Sequence, residues 1–158
     1  MNTELSETVF RCRYCEKEFR KESTLAAHLC EPKRRWQQEK ETGVQLGLKA
    51  YLRFYEITQG SAKLKSYNDF VVSPYYNAFV KFGRYCQNIR CVNFANYVDW
   101  LLKNNKKLDY WCKDSLYTEW MFEYLRKENP KFRKTCRPYI KQTNLRDWNY
   151  KANQLVST

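Results

Sequence analysis

Glycine and proline are scarce, with four of each in 158 residues. That scarcity excludes a collagen-like repeat and a low-complexity linker, both of which depend on those residues. Long apolar runs are missing too: no stretch approaches the ~18 residues that a membrane helix needs. The opening MNTELSETVF lacks the basic start and apolar run of a secretory signal. The expectation is a cytoplasmic protein with no membrane partner. No segment repeats at a fixed period, and neither a glycine-rich phosphate loop nor an HExxH motif occurs. Histidine is scarcest of all, with His28 alone.

What is present suits a packed core. Hydrophobic residues make up 43% of the chain and aromatics 17%, and the length fits one compact domain plus a small appended module. The net charge is +12, which favours a polyanionic partner, nucleic acid first and an acidic membrane or protein surface second. The charge is unevenly placed: residues 1–32 sum to −1, 33–65 to +5, 66–129 to +2 and 130–158 to +6.

Seven cysteines are an odd count, which fits a closed disulfide framework poorly, and in a reducing compartment disulfides rarely persist. Cys86, Cys91, Cys112 and Cys136 are scattered and read as small buried hydrophobes. The N-terminal cysteines differ. Cys12-Arg13-Tyr14-Cys15 has the two-residue spacing that lets a tight turn offer both thiolates to one tetrahedral zinc ion. Phe19, Leu25 and His28 follow in the pattern C-x2-C-x3-F-x5-L-x2-H. This resembles the finger with two cysteines and two histidines, in which a hairpin gives the thiolates, a helix gives the imidazoles, and Phe19 and Leu25 form a tiny core. A module of about 30 residues has too little core to fold without such a staple, so Zn2+ is the expected cofactor.

The fourth ligand departs from that pattern, since positions 32–34 hold Pro, Lys and Arg where a histidine or cysteine is expected. The nearest sulfur is Cys30. On an intact helix, residues two apart point about 200° apart, so His28 and Cys30 cannot share an ion there. Pro32 disfavours helix at Glu31. If the helix unwinds near Leu29, Cys30 swings back and the set becomes Cys12, Cys15, His28 and Cys30. Water or a more distant cysteine is the alternative.

Beyond the finger the pattern is helical. Val44, Leu48, Tyr51, Leu52 and Tyr55 mark one apolar face of a helix reaching from about 33 to 58, with a break near Gly43 allowed. A short helix at 66–72 capped by Ser66, another opening at Ser73-Pro74, a third at 93–104 and a fourth at 109–128 follow. Tyr75, Tyr76, Phe79, Val80, Gly83 and Cys86 form an inner stripe, as do Leu116, Tyr117, Trp120, Met121, Tyr124 and Leu125. These aromatic stripes read as core. The fold class is therefore mainly α: a small ββα-like zinc finger at 1–32, a helical domain at 33–129, and a basic, partly ordered tail at 130–158.

In fingers that read DNA, three helix positions reach base edges, and here they hold Lys21, Thr24 and Ala27. Alanine reaches only a thymine methyl, and Glu22 repels phosphate, so sequence-specific reading is not expected. Phosphate contact from Lys33, Arg34 and Arg35, with Trp36 available for stacking, is the stronger reading. Arg133, Lys134 and Arg137, with Lys141, Tyr139 and Trp148, form a second basic stretch. A solvated basic face is the alternative for both. An enzyme is not expected, nor a small-molecule substrate. Zinc claims the single histidine, which removes serine–histidine and cysteine–histidine nucleophiles, and Asp99, Asp109, Glu119 and Glu123 carry no motif.

The stretch FRCRYCEKEFRKESTLAAHLCEPKRRWQQEKETG, followed by LKAYLRFYEITQG and SPYYNAFVKFGRYC, resembles a zinc-finger protein of large contractile-tailed bacteriophages. The likeness covers roughly residues 9–128; the tail after Asn129-Pro130 does not match. It implies a virus-encoded protein working in a bacterial host cytoplasm, in DNA transactions or in particle assembly. The expected function is nucleic-acid binding with little sequence preference; the alternative is a finger that docks onto a protein partner in assembly.

Overall fold

The computed structural model describes residues 8–60 and 64–128. The chain divides into two compact units, Met1–Lys40 and Glu41–Thr158. It is mainly helical, with a two-stranded antiparallel sheet in the first unit. The tail expected at 130–158, with Arg133, Lys134 and Arg137, lies outside the described residues.

The first unit runs β1 (Phe10–Arg11), β2 (Glu18–Phe19), α1 (Glu22–Ala27) and α2 (Glu31–Gln37). Phe10 pairs with Phe19 and Arg11 with Glu18. The unit extends to Lys40 and not to residue 32, because α2 is a separate short helix and does not open the long helix expected from about 33. Pro32 lies in the first turn of α2, where a missing N–H leaves no helical bond unmade. Glu31 is consequently helical, contrary to expectation. The break comes earlier, where His28 and Cys30 take extended backbone, with ψ of 125° and 163°.

The second unit comprises α3 (Thr42–Gln59), α4 (Tyr67–Val72), α5 (Tyr76–Asn88), α6 (Phe94–Lys103), a 3-10 turn at Leu108–Tyr110, and α7 (Asp114–Glu128). Its most extensive pairing is α3 against α5. The break allowed near Gly43 falls just before it, at 38–41; Gly43 and Gly47 themselves sit inside α3, one and five residues past its start. They are buried because α5 closes on them through Gly83, where a Cβ would collide with the Gly43 carbonyl and the Gly47 nitrogen. A Cβ on Gly47 would in turn lie 2.7 Å from the Phe79 carbonyl oxygen. What looks in the sequence like weak helix propensity is the close approach of two backbones.

Aromatic rings fill the core. Phe82 lies 5.1 Å from Trp111, and Tyr97 lies 5.2 Å from Tyr117 and 5.0 Å from Trp120, all tilted or edge-on, as ring quadrupoles favour. Their polar ends are satisfied locally: Trp111 Nε1 donates to the Lys106 carbonyl and Trp120 Nε1 to Asn96 Oδ1, each at 2.9 Å. Phe82 and Trp111, fully buried, were absent from the expected stripes, whereas Tyr75 is half exposed.

The helix ends follow local chemistry. Ser66 and Asp69 form a reciprocal cap on α4, as expected of Ser66. The next helix begins at Tyr76, two residues past Pro74, with Ser73 Oγ accepting the Tyr75 N–H. α7 starts at Asp114, not 109, since residues 108–110 make the 3-10 turn that precedes Trp111. α5 and α6 both stop at a left-handed residue, Arg90 (φ 52°) and Asn105 (φ 49°), closed by Cys91 N–H to the Cys86 carbonyl and Lys106 N–H to the Leu101 carbonyl. Among the described residues, no helix is long and apolar enough to cross a membrane.

Candidate metal centre

The hairpin turn presents two sulfurs. Cys12 donates its N–H to the Lys17 carbonyl at 2.9 Å, and its own carbonyl accepts from Glu16 N–H at 2.8 Å. Glu16 takes a left-handed conformation, φ 62°, to close the turn. The helix gives the other two ligands by stopping. α1 ends at Ala27, His28 forms its C-cap, and Cys30 is the N-cap of α2. The opposed directions that two residues take on an intact helix therefore do not arise.

The result is a cluster: Sγ of Cys12, Cys15 and Cys30 and a ring nitrogen of His28 all lie within 4.8 Å of one another. Cys12 Sγ is 3.9 Å from Cys30 Sγ, and Cys15 Sγ is 3.3 Å from His28 Nε2. A tetrahedral ion with bonds of about 2.3 Å to sulfur and about 2.0 Å to nitrogen separates such ligands by roughly 3.8 and 3.5 Å. The observed separations bracket those values, so these residues can hold one metal ion. Among the described residues no other group of three or more Cys, His, Asp or Glu side chains is placed to do so.

The surroundings fit that role. Of residues 8–40 only Cys12 is buried; Phe19 and Leu25 are half-buried. The Phe19 ring packs 4.8 Å from the imidazole of His28. So little core cannot hold the unit together on its own. The Tyr14 N–H draws the Cys12 thiol down to about 7, with the Cys15 N–H assisting against desolvation. At Cys15 the Lys17 N–H favours the thiolate, but desolvation and the neighbouring sulfurs of Cys12 and Cys30 outweigh it and raise the pKa. A cation at the centre of the cluster removes that mutual repulsion.

Beside the centre lies a cleft of about 490 Å³ lined by Arg11, Arg13, Tyr14, Leu25, Lys33 and Gln37, among others. Lys33 Nζ donates to the His28 carbonyl at 2.9 Å, which fixes the ammonium at the rim. The basic run 33–35 is thus divided. Lys33 joins the cleft, while Arg34 and Arg35, three and four residues after Glu31 on the same helix, both pair with it, as residues at those spacings are neighbours on a helix surface. Trp36 is half-buried. Lys21, Thr24 and Ala27 are exposed.

Arg11, Arg13 and Tyr14 were not singled out from the sequence. Their signal was there: Arg11 and Arg13 flank Cys12 two residues apart, but the net charge of −1 over residues 1–32 concealed a local cluster. In the helical body, three of the four carboxylates without a motif have structural partners. Asp99 pairs with Arg53 at 2.7 Å, Glu119 lies 3.8 Å from Lys106, and Glu123 accepts the Trp100 indole N–H. Cys86 is buried there, Cys91 and Cys112 half-buried, and burial raises the thiols of Cys86 and Cys112.

The chain matches no protein-family model, no curated protein and no solved structure.

Proposed function

We propose that this is a non-enzymatic zinc-finger protein, phage-encoded and at work in the host cytoplasm, that binds nucleic acid with little sequence preference. Zinc is the favoured ion because three thiolates and one imidazole in a closed four-ligand set suit a structural zinc site. The observation that carries the binding reading is the convergence of Arg11, Arg13 and Lys33 on one cleft. Three thiolates around a divalent ion leave one net negative charge; Arg11 also faces Glu18 at 3.7 Å, and Arg13 and Lys33 still exceed that charge. Non-specificity follows from what the finger helix offers, since Ala27 has no donor for a base edge and Glu22 repels phosphate. The phage assignment rests on the resemblance of residues 9–128.

Salt dependence tests the reading. With three phosphate contacts on a single strand, affinity falls roughly 20-fold between about 50 and 200 mM salt. Replacing Arg11, Arg13 and Lys33 with Gln flattens that dependence and leaves zinc content unchanged. Salt-insensitive association, or none, removes nucleic acid as the partner.

A second reading has its own observation. Val9 and Leu29 on the finger are 52% and 59% exposed, which suits docking onto a protein in particle assembly. A partner held there loses affinity on Leu29→Ser and is indifferent to salt.

A further inference from the structure

We infer that the cleft beside the metal centre receives an unpaired nucleotide, so that the protein prefers single strands, of DNA or RNA, to duplex. This rests on the nucleic-acid reading above and names the form of nucleic acid.

Three features of the cleft point that way. Its lining combines apolar and cationic side chains: Leu25, Ala26 and Tyr14 with Arg11, Arg13 and Lys33. A base has an apolar face and a phosphate on its sugar, so one nucleotide satisfies both. A base paired and stacked in a duplex presents only its edge, and cannot enter. The volume of about 490 Å³ lies in the range that encloses a ligand of nucleotide size.

A stacking surface is already assembled. The Arg13 guanidinium lies over the Tyr14 ring, 4.7 Å from its centroid, and donates to the Tyr14 hydroxyl. Arg13 is exposed and Tyr14 half-exposed, so the outer face of the guanidinium plane is open to a base, in the manner by which unstacked bases rest on arginine or aromatic planes. Lys33 spends one donor on the His28 carbonyl, and an ammonium has three, leaving donors for the phosphate.

The finger helix suits a duplex poorly. α1 spans six residues, and its N-cap Lys21 with its exposed Glu22, Thr24 and Ala27 mix one cation with a carboxylate. The three cations lie in the cleft.

The test is fluorescence anisotropy of the zinc-loaded full chain with four probes: single-stranded DNA of about 12 nucleotides, RNA of the same sequence, the corresponding DNA duplex, and a labelled polyglutamate peptide. Both single strands are expected to bind at least about tenfold tighter than duplex. Arg13→Ala and Tyr14→Leu are expected to lower single-strand affinity about tenfold each, with duplex affinity changed less and zinc content intact. A strong excess of RNA or DNA over the other still supports the site and fixes the source of the nucleotide. Equal or tighter duplex binding overturns the inference while the nucleic-acid reading stands. Polyglutamate binding as tight as the single strands overturns it in favour of an acidic protein partner. No binding to any nucleic acid overturns both. If Tyr14→Leu loses zinc, Arg13→Ala decides alone.

Discussion

The Nε2 atom of His28 lies 3.3 Å from the sulfur of Cys15, and it does so because the helix before His28 stops one residue short of it, at Ala27. That termination is what lets Cys30 approach Cys12 to 3.9 Å. The metal site is thus made by the ends of two short helices and one turn, none of which has a core to support it. Removing the ion should therefore unfold the unit. Chelation, or Cys12→Ser or His28→Ala, is expected to abolish amide protection across residues 8–40 while the helical signal of residues 42–128 persists. Hydrogen exchange measured by mass spectrometry reports both at once. Collapse of the whole chain on chelation would contradict two separately stable units.

The contact between α3 and α5 leads to a contrast between two glycines. At Gly83, an added Cβ meets the backbone of Gly43 and Gly47, which cannot move aside. Gly83→Ala is expected to destabilise the helical body by about 3 kcal/mol or more. At Gly43, an added Cβ lies 2.5 Å from Arg84 Cγ and 3.3 Å from Arg84 Cα, so the arginine must turn near its root and its pair with Glu41 is disturbed. Gly43→Ala should cost about 1–2 kcal/mol, less than Gly83→Ala, because a side chain and not two backbones must yield and helix propensity improves. Thermal unfolding of the two variants separates these outcomes; equal losses would mean that the helices are not held at this crossing.

Much of the fold was legible in the sequence, and for a physical reason. Metal ligation demands fixed spacing, so Cys12, Cys15 and His28 announce themselves, and Ser66 precedes the helix that it caps; the cap at Asn93 shows only in the structure. Cys30 was reachable because Pro32 signals a discontinuity nearby, although the break lies at 28–30 and Pro32 begins the next helix. The break near Gly43 was legible and falls at 38–41, but the packing role of Gly43 and Gly47 was not, because it depends on Gly83, some 40 residues away in the chain. The cleft was missed because it joins a turn to a helix: Arg11, Arg13 and Lys33 become neighbours only when the metal site folds.

Alkali should weaken the helical body. Burial raises the phenols of Tyr97 and Tyr117 well above their ordinary value near 10, and likewise the thiol of Cys86 above its value near 9. An unfolded chain releases these protons at ordinary pH values while the folded one keeps them. The unfolded state then binds fewer protons, so stability falls as pH rises. The decline should begin near pH 9 with Cys86 and steepen above about pH 10, where each neutral buried tyrosine contributes about 1.4 kcal/mol per pH unit. Melting temperatures between pH 7 and 11 check this, with Tyr97→Phe expected to flatten the upper limb. A flat profile across that range would contradict buried, neutral phenols.

The division of the basic run predicts unequal roles. Lys33 stands at the cleft, whereas Arg34 and Arg35 share Glu31. Lys33→Gln should reduce single-strand affinity about threefold to tenfold and shorten the slope of log affinity against log salt by about 0.7. Arg34→Gln should change both far less. Equal effects would move the phosphate path from the cleft to the outer face of α2.

The most direct test of a metal-built finger is native mass spectrometry of the full chain, zinc-loaded, beside the Cys30→Ser variant and the chelated protein. The account predicts one zinc per chain, weaker retention in Cys30→Ser, and a shift to higher charge states once the ion is removed as the first unit opens. A chain that holds no zinc, or keeps the same charge-state distribution without it, would contradict the account.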